Sequence, residues 1–260
     1  MRKVLKLFTV YAKLYLKMVI QHKLGIVFFT LGKLARFLFL FFMIYLVFSK
    51  TNLVKGYSFN QMIIFYLTFN VVDTTAQLLF REVYRFRPQV VSGSFDLILL
   101  KPHHPFLRIL VGGVDFLDLI LLIPYILILI YFIIQLPNIS LLLIAGYLLL
   151  VANSLIIATA FHIAVLALAI LTTEVDHAIM VYRDLTSLGR FPMEIYREPI
   201  RAVFTFVIPV GIMMSFPPKA LLNLLSPASY LLSLFASSLL LTLSLKLWNL
   251  ALKKYQSWGG

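Results

Sequence analysis

Between Ile26 and Leu250 the chain is dominated by apolar runs of about twenty residues separated by short polar breaks. A run of that length matches the ~30 Å hydrocarbon core of a bilayer at 1.5 Å per helical residue, and it is longer than the helices of a soluble core need. Composition agrees: 62% of the residues are hydrophobic and the mean hydropathy is +0.97, against about 45–50% apolar residues in a soluble domain. Backbone groups in lipid must be satisfied within the segment, which leaves helices as the spanning elements here. The expected fold is an all-α polytopic membrane protein.

Six segments are expected to span: 26–48, 59–80, 114–134, 140–171, 200–216 and 230–250. Together they form a single transmembrane domain, 26–260, behind an N-terminal element over 1–25. The run from Ser140 to Leu171 measures roughly 50 Å as a helix, so it either tilts and projects beyond the membrane or breaks. Ala202–Phe216, interrupted by Pro209 and Gly211, is short for a span. It reads as a half-helix or re-entrant element, which is tolerated where protein covers its backbone.

Residues 1–24 carry Arg2, Lys3, Lys6, Lys13, Lys17 and Lys23 and no acid. Phe8, Tyr11, Tyr15, Met18 and Val19 recur at helical spacing. This predicts a basic amphipathic helix lying on an anionic inner leaflet. A signal peptide fits less well, because the basic region is long and no small-x-small cleavage site follows.

The formal net charge of +13 is accounted for by basic loops on one side of the membrane and does not call for nucleic acid. With both termini inside, eighteen Lys and Arg fall on the inner side, in 1–24, 81–108, 172–201 and the C-terminal end. Lys50, Lys55 and Lys219 fall outside, and Lys33 and Arg36 lie within the first span. That asymmetry orients the chain in a cell membrane. The alternating charges of 172–201 read as an amphipathic surface or interfacial segment.

Within the apolar segments few charges remain. Lys33 and Arg36 either snorkel to the headgroups or face the protein and pair with an acid. Asp73, near the inner end of the second span, falls at similar depth. An unpaired intramembrane carboxylate is costly, so an ion pair or hydrogen bond between Asp73 and Arg36 or Lys33 is expected, as a structural latch. Asp115 and Asp118 open the third span, where the helix dipole favours carboxylates. His162 reads as an interior histidine, since no second histidine sits one turn away.

The polar island REVYRFRPQVVSGSFDLILLKPHHPFLR, 81–108, lies between the second and third spans. Pro88 and Gly93 break the backbone ahead of a short amphipathic run, Phe95 to Leu100, and Pro102 and Pro105 stop it. A short helix held between breakers on a basic inner loop reads as a docking element.

Chemistry-bearing motifs are lacking. There is no P-loop, no HExxH, no GxSxG and no cysteine. The chain therefore offers no ATP site and no visible catalytic centre. A transport subunit driven by another protein fits best. A membrane enzyme acting on lipid headgroups would need converging acids or histidines, and a non-transporting scaffold or sensor is the third possibility.

The segment Gly93-Ser94-Phe95-Asp96-Leu97-Ile98-Leu99-Leu100-Lys101-Pro102 resembles the G-x-[FL]-D-x-x-L-x-[KR]-P segment of type-2 ABC exporter permeases, in their uncharacterised branch. Gly189-Arg190-Phe191-Pro192-Met193-Glu194-Ile195-Tyr196, with Ile208-Pro209 and Phe216-Pro217, is similar to that branch's second block. With the six-span layout, the resemblance covers nearly the whole chain. It implies a half-transporter. A second permease half, identical or paralogous, pairs with it, and both sit on a dimer of ATP-binding subunits that hold ATP and Mg. No cofactor is expected on this chain.

The resemblance further implies that the loop between spans 2 and 3 is a cytoplasmic coupling helix. Gly93, Phe95, Asp96, Leu97, Leu99, Leu100, Lys101 and Pro102 then engage the ATPase, with Phe95 and the leucines in its groove and Asp96 and Lys101 setting register. The N-terminal amphipathic helix becomes a connecting helix that also touches the ATPase. The block 190–218 becomes a hairpin before the last span on the outer side, in conflict with the charge-based placement of 172–201. The aromatic and aliphatic spans suit an amphipathic or hydrophobic cargo such as a drug, lipid or peptide, and ordinary core packing uses the same residues.

Overall fold

A computed structural model describes Thr9 and residues 23–101, 105–111, 115–172 and 175–256. The expected amphipathic helix over 1–25 and Pro102 of the docking motif lie outside these residues, apart from Thr9 and the start of α1. The described residues are mostly helical and contain no strand beyond an isolated bridge between Val54 and Tyr57. It is an all-α polytopic membrane protein.

Among the described residues, five helices are long and apolar enough to cross a membrane: α1 (Lys23–Phe48), α2 (Phe59–Phe80), α6 (Phe116–Ile134), α7 (Leu141–Thr172) and α11 (Pro227–Lys254). Between α2 and α6 lie a 3₁₀ turn (Arg81–Arg85) and three short helices, α3 (Phe86–Val91), α4 (Ser94–Leu99) and α5 (Pro105–Val111). This cluster and the end of α11, with Lys253 and Lys254, form the basic end of the molecule. The 49–58 turn marks the opposite end.

Local chemistry sets the boundaries. Ser58 and Gln61 form a reciprocal capping box at the start of α2, with the Gln61 side chain accepting from the Ser58 backbone N–H at 2.9 Å. Asp115 caps α6 by accepting from the Leu117 N–H at 3.1 Å. Pro88 does not break the chain: it sits in the first turn of α3, where its missing N–H has no helical partner to lose. The long run in the fourth segment resolves into one unbroken helix, α7, of 32 residues.

α2 is the most enclosed of the spans and carries the core. Toward the opposite end, Phe37 of α1 stacks on Tyr66 at 5.3 Å and meets Tyr125 of α6 at 4.8 Å. Toward the basic end, Phe80, Phe86, Phe95, Ile109 and Trp248 belong to one buried cluster that joins the short helices to α7 and α11. α7 and α11 pack along their length, and small and polar residues let them approach: Asn153 donates to Ser233 Oγ at 2.7 Å and accepts from Ser237 Oγ at 2.5 Å. A Cβ on Gly146 would lie 2.8 Å from the Tyr230 hydroxyl.

These contacts climb together in number, so α7 and α11 run parallel. The chain between them must therefore cross back from the basic end to the opposite end. The path is visible from its neighbours. On α8 (Val175–Ser187), Tyr182 lies 5.0 Å from His162, which itself meets Phe80 at 4.8 Å near the basic end. Arg190, in a 3₁₀ turn (Leu188–Arg190), stands over the Phe69 ring at 5.2 Å, halfway along α2. Glu194 accepts from Tyr57 at the opposite end, 3.2 Å away.

The return to the opposite end is thus made by 175–190, the fifth crossing of the bundle, and the expected span at 200–216 is not one straight helix. In its place are two half-helices, α9 (Ile200–Val207) and α10 (Gly211–Leu221), bent by 83° around Pro209. Lys219 at the end of α10 pairs with Glu194, so the hairpin enters and leaves from the opposite end. The α10 half is enclosed: Val210 to Leu221 are buried except Lys219, which is half-buried. Ser154 of α7 donates to the Met213 carbonyl, as a re-entrant element in a membrane requires. Residues 175–201 consequently do not stay on the basic side. Arg183 and Arg190 lie along the crossing, and Arg197 and Arg201 lie beyond it.

Candidate functional site: a docked short helix and an intramembrane charge cluster

At the basic end, Gly93 caps α4 with a φ of 70°, a left-handed conformation that glycine adopts without a Cβ penalty. The helix that follows is pinned from below. Phe95 is fully buried, meeting Phe86 edge-on at 5.0 Å and Tyr255 at 5.0 Å. Ile98, one turn on, is also buried. The Tyr255 hydroxyl donates to Asp96 Oδ1 at 2.8 Å. Burial, then the hydrogen bond and charge of Asp96, push the Tyr255 pKa up to about 12, so the phenol stays a donor at neutral pH.

The other face is bare. Leu97 is 64% exposed and Leu100 81% exposed, and Leu99 and Lys101 are exposed beside them. The expectation that Phe95 enters a partner's groove is corrected: its ring is the peg that holds α4 to the body, and Asp96 is engaged by Tyr255. Leu97, Leu99, Leu100 and Lys101 remain for an external surface.

Deeper in, on the lower halves of α1, α2 and α6, lies the charge cluster. Lys33 forms an ion pair with Asp118, and its ammonium also donates to Gln77 Oε1 at 3.1 Å. Gln77 in turn donates to Asp73 Oδ2 at 2.8 Å. The expected direct pairing of Asp73 with Lys33 or Arg36 is corrected: the acid bound by Lys33 is Asp118, and Asp73 is reached through the Gln77 amide. Asp118 is fully buried, so a nearby cation is the economical partner. Asp115, besides capping α6, pairs with Arg81 at 3.3 Å. Among the described residues no group of three metal-ligating side chains occurs.

Arg36, Asp73, Arg183 and Arg190 together line a cavity of about 460 Å³, which adjoins a smaller one of about 60 Å³ sharing the same four residues and reaching Lys33 and Tyr66. The sequence alone did not single out Arg183 and Arg190 for this place. Their segment is too short and too charged to register as a span, and only the parallel packing of α7 and α11 draws it inward. Tyr255 was equally hidden, lying past the last apolar run.

His162 sits in an aromatic box of Phe80, Tyr84 and Tyr182, with Nδ1 2.7 Å from the Ala158 carbonyl. It is an interior histidine.

Residues 34–259 match the family model described as ABC-2 family transporter protein. No curated protein and no solved structure matches the chain significantly. The match takes in all of α2 to α11 and most of α1, including the docked helix and the charge cluster apart from Lys33, and on that extent the chain belongs to the ABC-2 family of transporter proteins.

Proposed function

We propose that this transport permease is one half of an ATP-driven exporter of the cell membrane, with its basic end and both termini in the cytoplasm. ATP and Mg are held, and ATP is hydrolysed, on a separate pair of ATP-binding subunits. A second permease half, identical or paralogous, completes the path. The observation that carries this reading is α4. A helix with a buried aromatic peg on one face and exposed leucines on the other is built to be pushed: Phe95 fixes it to α3 and to Tyr255 at the end of α11, while Leu97 and Leu100 offer an apolar surface to the motor. Movement of the motor is then passed to the spans as a rigid-body shift.

Charge supports the orientation. With the fifth crossing placed at 175–190, the outer side gains Arg197 and Arg201, and the inner side still holds the greater share of Lys and Arg in its loops. A lipid-headgroup enzyme is disfavoured by the engagement of Asp115 with Arg81 and of Asp118 with Lys33.

The test is co-purification. The full chain, affinity-purified from its native membranes, should carry a vanadate-sensitive ATPase. The double substitution Leu97→Asp and Leu100→Asp should remove that activity while leaving the permease monodisperse. Undiminished ATPase recovery with the double variant would overturn the docking role.

A further inference from the structure

The charge cluster has more cation than its acids use. Lys33 is committed to Asp118, and Asp73 is held by Gln77. Arg36 from α1, Arg183 from α8 and Arg190 from the turn after it face the same cavity, and none forms a salt bridge with a described residue. Asp73 and Asp184 are the acids on the cavity wall. Charged side chains at membrane depth are rare and mark pathways or binding sites rather than packing. Three guanidinium forks from separate elements converge on this cavity against two wall carboxylates, and with no ion pair closed they present the planar, bidentate donors suited to a phosphate or carboxylate group.

Apolar side chains share the wall with Asn70, Thr74, Gln77 and Ser187. Phe69 and Met180 line the larger cavity, and Phe37 and Leu40 the smaller. A free inorganic anion would use the arginines and leave these surfaces idle. A molecule with an anionic head and an apolar body uses both.

We propose that the cavity between α1, α2 and the fifth crossing binds the phosphate-bearing head of an anionic amphipath, with Arg36, Arg183 and Arg190 as its donors. This names a class of cargo for the transporter proposed above and rests on that reading for the word cargo; the binding itself does not depend on an ATPase.

The probe is phosphatidylglycerol, titrated onto the full chain in detergent and followed by native mass spectrometry, with phosphatidylcholine as the zwitterionic control. The chain should retain phosphatidylglycerol in preference. Arg183→Gln with Arg190→Gln should weaken that retention by about tenfold or more, the loss expected for one charge-assisted fork, and leave phosphatidylcholine unchanged. Lys246→Gln, on exposed α11, removes one charge elsewhere and should leave retention as it was.

Should the glutamine variants fail to stay monodisperse, Arg183→Lys with Arg190→Lys keeps the charge and loses the fork; reduced retention there supports the site. Millimolar inorganic phosphate separates the sources. Failure to displace the lipid assigns the site to a headgroup, and full displacement assigns it to soluble phosphate compounds and overturns the amphipath. Equal retention of both lipids, or retention unchanged in the arginine variants, overturns the proposal. The Leu97→Asp, Leu100→Asp chain should bind phosphatidylglycerol normally, so a failed docking role and a failed binding site give different results.

Discussion

Tyr255 donates a 2.8 Å hydrogen bond to Asp96 across 159 residues of sequence, joining the end of the last helix to the short helix at the basic end. The same tyrosine ring packs edge-on against Phe95 at 5.0 Å. One residue past the final span thus holds both the polar and the apolar side of α4.

Tyr255→Phe keeps the ring and removes the donor. A hydrogen bond to a charged acceptor contributes about 1.5–3 kcal/mol, and less where solvent reaches the pair, as it does for half-exposed Tyr255. The expected result is a loss of about 1 kcal/mol confined to α4, read as faster amide exchange at Asp96 to Leu100 with the spans unchanged. The pH dependence has a sign. The folded Tyr255 pKa lies above its ordinary value of 10.0, at about 12. Its contribution is complete below pH 10 and is lost as pH rises toward 12. Wild-type exchange at α4 should rise over that window, and the Tyr255→Phe variant should lack the step.

Lys33 and Asp118 make the second prediction. Asp118 has a fully buried side chain, and that of Lys33 is 25% exposed. Removing one partner of such a pair strands the other's charge at a cost of roughly 3–5 kcal/mol, whereas removing both is close to neutral. Lys33→Met should lower thermal stability in detergent sharply, and Lys33→Met with Asp118→Asn should restore most of it. Lys33→Met with Asp73→Asn should not. Rescue by Asp73→Asn instead would show that Lys33 serves the acid expected from depth along the helices rather than Asp118.

α2 was legible because hydropathy, Ser58 and the charges from Arg81 onward agree on its ends. The partner of Lys33 was not, since Asp73 and Asp118 stand at similar depth and only rotation of α6 decides between them. The direction of Phe95 was hidden for a related reason. In SFDLIL every position after Asp96 is apolar, so a helix of six residues gives no contrast between faces; the surface beneath it, from Phe86 and Tyr255, selects Phe95 and Ile98. The fifth crossing was illegible because only one face of it, with Ile179, Tyr182 and Thr186, is buried, and a segment carrying Arg183, Asp184 and Arg190 has the composition of a surface helix.

Gly189 sits where the fifth crossing meets the re-entrant hairpin. A Cβ there would lie 2.6 Å from Met214 Cβ and 3.0 Å from Val210 Cγ1. The first of these is the root of a buried side chain and cannot swing away. Gly189→Ala should therefore push α10 off the crossing and cost about 1–3 kcal/mol, the usual cost of overpacking. Heating followed by size-exclusion chromatography would register it. Gly32→Ala, with open space around its Cβ, is the matched control and should be neutral or slightly stabilising.

Glu194 closes the hairpin at the opposite end. It pairs with Lys219 and accepts from Tyr57 at 3.2 Å. Burial alone would raise its pKa, but the Lys219 hydrogen bond and charge and the Tyr57 bond outweigh it, so the carboxyl titrates below its ordinary 4.5. The Tyr57 phenol is pushed up by its own burial and then by the Glu194 charge, and remains a donor. For a depressed carboxyl the stabilising contribution is present above the unfolded value and lost as pH falls through the folded one. The latch should thus hold at neutral pH and loosen below about pH 4.5. Cysteine accessibility at Phe206→Cys, on the exposed face of α9, would follow it: labelling should rise as pH drops through that range. Glu194→Gln should label fast at every pH, because Lys219 loses its counter-charge while the hairpin keeps its fold. A flat profile in the wild type would mean that enclosure by Met193, Phe216 and α7, rather than the Glu194–Lys219 pair, keeps the hairpin closed.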